Sequence, residues 1–264
     1  MSNSPTLLRK DLSRKGEGRS EEASDLGLDP RSDAFFFDVD GTLIDIAEHP
    51  EAVVVPAALT DALERLLARS SGAVALVSGR SVSRLDALFA PLRLVAAGAH
   101  GAEVRRQPEG KVEQMSPSLP AQARAEALAL AAACGDLFVE DKGLSIAIHY
   151  RSRPEVKDVL GERLKALAAR APEPLSVLPG HFVFELKHAG RDKGVAIDGL
   201  MEEAPFAGRR PVFFGDDVTD AAGFDAVLRR GGLPVSVGRA FEHVNVVLAR
   251  PSDVRALVHR LSIT

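Results

Sequence analysis

In "AFFFDVDGTLIDI", residues 34 to 46, four apolar residues run into Asp38, and Asp40 follows two positions later, ahead of a Gly-Thr pair. Residues two apart in an extended chain leave the same side of the backbone, so the two carboxylates face one region of space. Close carboxylates without a counter-charge repel and raise one another's pKa, and a cation between them removes the problem. A simple Asp-Gly turn accounts for this stretch alone about as well.

Three further stretches add parts to the same chemistry. "VFFGDDVTD" again ends an apolar run in acids, Asp216, Asp217 and Asp220. Helix capping accounts for one such acid better than for three. "ALVSGR" places Ser78 and Gly79 after a third apolar run, where a hydroxyl and an exposed amide can hold an anionic oxygen or merely form a loop. "GRDKGVAIDGL" sets Lys193 at a helix start, where the macrodipole disfavours a cation. A lysine there makes sense beside an anion. Together these residues supply a carboxylate nucleophile, a second carboxylate as proton donor, acidic oxygens for Mg²⁺, a hydroxyl and an ammonium group. Those are the parts for moving a phosphoryl group through an aspartyl-phosphate.

Such groups need strand ends to hold them. The runs "AFFF", "AVALVSGR", "LRLVAAGAHG", "RRPVFFGDD", "LPVSVG" and "VNVVLA" are apolar on both faces, and helical patterns such as "AALTDALERLLARS" separate them. This alternation predicts βαβ units around a Rossmann-like parallel sheet, an α/β core over residues 34–105 and 186–264. Between them, 106–185 changes period. In "LSIAIHYR", Leu144, Ile146, Ile148 and Tyr150 alternate with Ser145, Ala147, His149 and Arg151, the mark of a strand with one buried face. The segment predicts an inserted α+β domain with an antiparallel sheet, helices over one face and a more polar face turned to water or to a cleft. An insert on the carboxyl edge of a parallel sheet overhangs the place where such folds bind ligands.

The chain has 264 residues, 45% of them hydrophobic, and a formal net charge of -4. That is enough to bury a substantial core, and it gives no electrostatic reason to expect nucleic acid or an anionic membrane as partner. A small molecule is the expected ligand. Cys134 is the only cysteine, so an intrachain disulfide and a cysteine-based zinc site are excluded, and its alanine-rich helical surroundings read as core. Residues 1–33 mix charges of both signs with few large apolar residues and read as a mobile arm. No apolar leader or membrane-length stretch stands out, and the expected location is the cytoplasm.

The four motifs "DVDGT", Ser78 in "VSGR", Lys193 and "GDDVTD" occur in the order found in the haloacid dehalogenase-like phosphatases, which this sequence resembles. From residue 34 to the C-terminus it further resembles the trehalose-6-phosphate phosphatases, through "GAHGAE", "VEDKGLSIAIHYR" and "FVFELKHAGRDKG" as well. Val39 stands where that family commonly has phenylalanine, a conservative apolar change. The resemblance implies that Asp38 is the nucleophile and Asp40 the acid and then the base. It implies that Mg²⁺ is held by Asp38, Asp216 and the backbone carbonyl of Asp40, with Asp217 and Asp220 orienting metal waters. Ser78 and Lys193 would bind phosphoryl oxygens, with Gly79 and Arg80 as further substrate contacts. The insert would be a C2-type cap in which Glu140, Lys142 and Glu185, and after them His149 and Arg151, bind the non-phosphorylated glucose. His100, following a predicted core strand, would line the domain junction.

Other readings stay open from sequence. A phosphatase of the same cap type could act on sucrose phosphate or a mannosyl phosphoglycerate. A phosphoacceptor signalling domain also gathers acids and a lysine at strand ends, but needs neither Asp40 nor a cap. A catalytically silent relative would not need all four motifs. Oligomeric state is not legible.

Overall fold

Phe35, Phe36 and Phe37 are each fully buried, although side chains alternate along a strand, so both faces of this strand are covered. They lie in β1 (Asp33–Phe37), near the middle of an eight-stranded sheet in this computed structural model, which describes residues 26–46, 53–180 and 182–263. The sheet also contains β2 (Val74–Val77), β3 (Val95–Gly98), β4 (Glu103–Arg105), β5 (Glu113–Gln114), β10 (Arg210–Gly215), β11 (Leu233–Val237) and β12 (Val246–Leu248). Its order is β12-β11-β10-β1-β2-β3-β4-β5. The pairs from β12 through to β3 are parallel, and β4 and β5 continue the sheet antiparallel.

Helices cover both faces. On one, Phe35 and Phe37 pack with Leu59, Leu63 and Leu66 of α1 (Ala57–Arg69), Leu85 and Phe89 of α2 (Val82–Phe89), and Val254 and Val258 of α7 (Pro251–Ile263). The buried residues of α1 recur at intervals of three and four, the stripe of an amphipathic helix. On the other, Phe36 and Phe213 meet Ile197 and Leu200 of α5 (Lys193–Met201) and Phe224 of α6 (Ala221–Arg229). The chain leaves β1 for β2 on one side and later returns to β10 on the other. The carboxyl ends of β1 and β10 therefore flank a topological switch point, where such sheets bind ligands.

Between β5 and α5 the chain forms a cap with its own core. Strands β6 (Phe138–Asp141), β7 (Ser145–His149), β8 (Leu175–Gly180) and β9 (Val183–His188) make an antiparallel sheet in the order β6-β7-β9-β8. Ala123, Ala127 and Ala131 of α3 (Ala121–Ala133) and Leu160, Leu164 and Leu167 of α4 (Lys157–Arg170) pack on Ile146, Ile148, Phe184 and Leu186. Cys134 belongs to this core. The register aligns Glu140, Ala147, Glu185 and Leu178 across the four strands, and they lie on the face opposite the helices.

Two segment limits differ from the sequence expectation. Glu113–Gln114 pairs with β4 in the large sheet and β9 runs on to His188, so sheet membership oversteps both 106 and 185. The short polar β5 carries no periodicity, and the apolar alternation of β9 gives no sign of where one sheet hands over to the other. Of the residues expected in the arm, 26–33 are described and several of them contact the core. Leu26 and Leu28 pack on the core, and Arg210 binds the buried Asp33 and the Gly27 carbonyl. Residues 1–25 lie outside the described ones.

Candidate active site

Three of the four core motifs sit where a parallel strand ends, and the fourth opens a helix. Asp38 directly follows β1, its amide bonded to the Phe214 carbonyl of β10 at 2.9 Å. Ser78 follows β2, and Asp216 follows β10. The turn after Asp38 is tight: Gly41 has φ +82, and a Cβ there would lie 2.2 Å from the Asp216 carboxylate, so glycine is required on both counts. Thr42 Oγ1 donates to Asp216 Oδ1 at 3.1 Å. Lys193 opens α5, whose N-cap Asp192 accepts from the Val195 amide at 2.8 Å.

Lys193 Nζ lies 2.7 Å from Asp38 Oδ1 and 2.6 Å from Asp220 Oδ1, all three side chains buried. Burial opposes its charge, yet the Asp220 and Asp38 carboxylates outweigh this and raise its pKa above the usual lysine range. Burial also raises the Asp38 carboxyl well above the ordinary value, helped by Asp220 and Asp216 and opposed by Lys193. Asp216 is pushed up to about 6 by burial and by the Asp220 charge. Oxygens of Asp38, Asp216 and Asp220 all lie within 4.8 Å of one another, an excess of negative charge over the single lysine. An all-oxygen donor set at such a place fits a hard divalent cation. Asp220 is the least available of the three. Besides Lys193 it accepts the amides of Asp216 and Asp217 at 3.0 and 2.9 Å, and it is fully buried.

A cleft of about 530 Å³ opens above this floor, roofed by the polar face of the cap. Lys142 Nζ reaches Glu185 Oε2 at 3.1 Å and, across the junction, the Gly79 carbonyl at 3.0 Å. Glu185 also pairs with His100 Nε2 at 3.2 Å and accepts from Ser145 Oγ at 2.5 Å. Burial works against its ionisation. The Lys142 charge and the hydrogen bonds from His100 and Ser145 prevail, holding the carboxyl far below the usual range. Glu140 lies 3.9 Å from His149 Nε2, and the Arg151 guanidinium stands over the Phe182 ring at 5.4 Å.

A family model described as trehalose-phosphatase matches residues 36–252. The chain belongs to that family. It is 40% identical over 216 residues to a probable trehalose-phosphate phosphatase of Sinorhizobium fredii, covering 81% of each chain. It is also 40% identical over 223 residues to a trehalose-6-phosphate phosphatase of Escherichia coli, covering 84% of this chain and 83% of that one. The fold resembles the C-terminal domain of a Candida albicans trehalose-6-phosphate phosphatase, with a TM-score of 0.77 at 19% identity over 88% of this chain and 92% of the other.

In this trehalose-phosphatase chain Asp38, Asp40, Ser78, Gly79, Arg80, Glu140, Lys142, His149, Arg151, Glu185, Lys193, Asp216 and Asp217 all line the one cleft. Asp220 lies beneath it. Three arrangements differ from the sequence reading. Arg80 grips Asp40 bidentately, Nε to Oδ2 at 2.6 Å and Nη2 to Oδ1 at 2.7 Å, so the Asp40 carboxylate faces a guanidinium, and the clustered carboxylates are those of Asp38, Asp216 and Asp220. Asp217 and Asp220 form a reciprocal capping box on the turn after β10, and Asp217 also accepts from Arg239 Nη2 at 3.1 Å. Capping and charge clustering coexist there. Arg239 and Thr42 were not singled out in the sequence. Thr42 closes the "DVDGT" stretch without any sign of its partner, Arg239 stands in no patterned stretch, and only the fold brings them to Asp216 and Asp217.

Proposed function

We propose that this chain hydrolyses trehalose 6-phosphate to trehalose and inorganic phosphate in the cytoplasm, through an aspartyl-phosphate on Asp38 and with Mg²⁺. The observation that carries this reading is the placement of the buried Asp38–Lys193 pair at the floor of a cleft roofed by Glu140, Lys142 and Glu185. A buried carboxylate beside an ammonium at one end and polar groups able to bind hydroxyls at the other support a phosphorylated disaccharide as substrate. The single buried cysteine suits a reducing compartment.

An Asp38 carboxylate oxygen attacks phosphorus while the bond from phosphorus to the sugar oxygen breaks. The departing oxygen takes a proton from Asp40. Asp40 must exchange the Arg80 fork for that proton before it can act, since a bidentate guanidinium engages both its oxygens as acceptors. Asp40, again a carboxylate, then removes a proton from the water whose oxygen bonds phosphorus. The Asp38–phosphorus bond breaks and phosphate leaves. Ser78, the Gly79 amide and Lys193 hold the equatorial oxygens, where negative charge accumulates. Held by the Asp38 and Asp216 carboxylates and the Asp40 carbonyl, Mg²⁺ would neutralise charge between nucleophile and phosphoryl group. Asp220 keeps Lys193 in place, and Asp217 orients water near the metal position. On the cap, Glu140, Lys142 and Glu185, with His149 and Arg151 beside them, bind hydroxyls of the second glucose.

Phosphate release from trehalose 6-phosphate, sucrose 6-phosphate and mannosyl phosphoglycerate, each with Mg²⁺ and after chelation, tests this. Trehalose 6-phosphate should give the highest kcat/KM and chelation should stop release. Preference for either other substrate, or full turnover after exhaustive metal removal, contradicts it.

A further inference from the structure

The turn between β3 and β4 touches three parts of the cleft at once. Ala99 and His100 both adopt left-handed backbone, φ 47 and 52, a conformation uncommon outside glycine. Their amides donate to the Arg80 and Ser78 carbonyls at 2.8 and 3.0 Å, which bonds the turn to the loop that carries Ser78. The imidazole lies against Gly79, where a Cβ would come within 2.5 Å of Nε2. The same Nε2 is 3.2 Å from Glu185 on the cap. Glu185 thus has partners on both sides of the junction, and His100 is the one supplied by the core.

We infer, on the reading above that the cap binds the second glucose, that His100 is a positioning residue for sugar recognition. Its Nε2–H holds the Glu185 carboxylate against the core, and its backbone ties that carboxylate to the Ser78 loop. Engagement of the distal sugar by Glu185 and placement of the phosphoryl group beside Ser78 then become a single event. Neutral imidazole suits this role. Nδ1 is buried without a hydrogen-bond partner among the described residues, so the proton is best placed on Nε2 facing Glu185. Burial holds the ring below its ordinary pKa in spite of the Glu185 charge, with Lys142 and Lys193 acting in the same direction as burial.

The test compares kcat/KM for trehalose 6-phosphate with kcat/KM for para-nitrophenyl phosphate, which has no second sugar. His100→Ala and His100→Asn, the latter too short to reach Glu185, should lower the ratio of the two by about tenfold. His100→Gln, whose amide can donate to Glu185, should recover most of it. An unchanged ratio in the shortened variants overturns the inference, as does a Gln variant no better than Asn. The Asn and Gln pair decides even if the Ala variant fails to fold. Failure of the wild-type protein to turn over trehalose 6-phosphate would instead count against the proposed function, and it is seen before any variant is compared.

Discussion

At the floor of the cleft Lys193 sits between Asp38 and Asp220 with every side chain buried, whereas on the cap face Glu140 and His149 stand 3.9 Å apart and are roughly 30% exposed. The floor holds Lys193 between two carboxylates and keeps an excess of negative charge that suits a cation. Its charges are fixed before any ligand arrives, as electrostatic stabilisation of a phosphoryl group demands. The cap groups are held more loosely, so a sugar hydroxyl or water can compete for them. Glu185 stands between the two cases, buried like the floor but bonded across the junction. The difference suggests that one region supplies chemistry common to phosphate esters and the other the choice of sugar.

The largest expected effect breaks the floor. Asp38→Asn should lower phosphate release from every substrate by about a thousandfold or more, because an amide is a poor nucleophile. Substrate-dependent loss would place Asp38 in recognition instead. Asp220→Asn should leave Lys193 with one charged partner and cost roughly 3 kcal/mol of stability, the scale for breaking a buried pair, measured by denaturant unfolding. A negligible change would mean that Asp220 does not support Lys193.

On the cap the expected losses are smaller and selective. Glu140→Ala or Lys142→Ala should reduce kcat/KM for trehalose 6-phosphate by about tenfold, and by more than for an aryl phosphate that cannot span the cleft. Equal loss on both substrates would erase the distinction between floor and cap. The smallest effect is pH-dependent. The Glu185 carboxyl is held below its ordinary value near 4.5, so its contribution to stability is present above that pH and is lost as the pH falls below it. Glu185→Gln should therefore melt below the wild type at pH 7, and the gap should narrow as pH falls through 4.5 toward 3.5. A gap that stays constant would show that ionisation of Glu185 contributes nothing to the closed arrangement.

The floor was more legible in the sequence than the cap. Apolar runs ending in Asp38, Ser78 and Asp216 mark parallel strands whose carboxyl ends must meet, so strand type and site follow from one pattern. The period-two alternation in "LSIAIHYR" likewise separates Ile146 and Ile148 of the cap core from His149 on the cleft face. What stayed hidden depends on contacts between distant segments. Arg80 meets Asp40 forty positions away, and Arg239 meets Asp217 only because neighbouring strands bring their loops together. His100 could be placed at the junction but not on Glu185, which is contributed by another domain. Strand β5 consists of two exposed polar residues, and only its pairing with β4 reveals it.

The claim on which the rest depends is that Asp38 takes the phosphoryl group. Asp40→Asn with para-nitrophenyl phosphate, whose leaving group needs no proton, should still form the intermediate but hydrolyse it slowly for want of a base. Acid quenching followed by peptide mass spectrometry should then find a phosphoryl group on the peptide containing Asp38, and none in the Asp38→Asn, Asp40→Asn double variant. Phosphoryl on a different residue, or wild-type turnover by Asp38→Asn alone, would contradict the account.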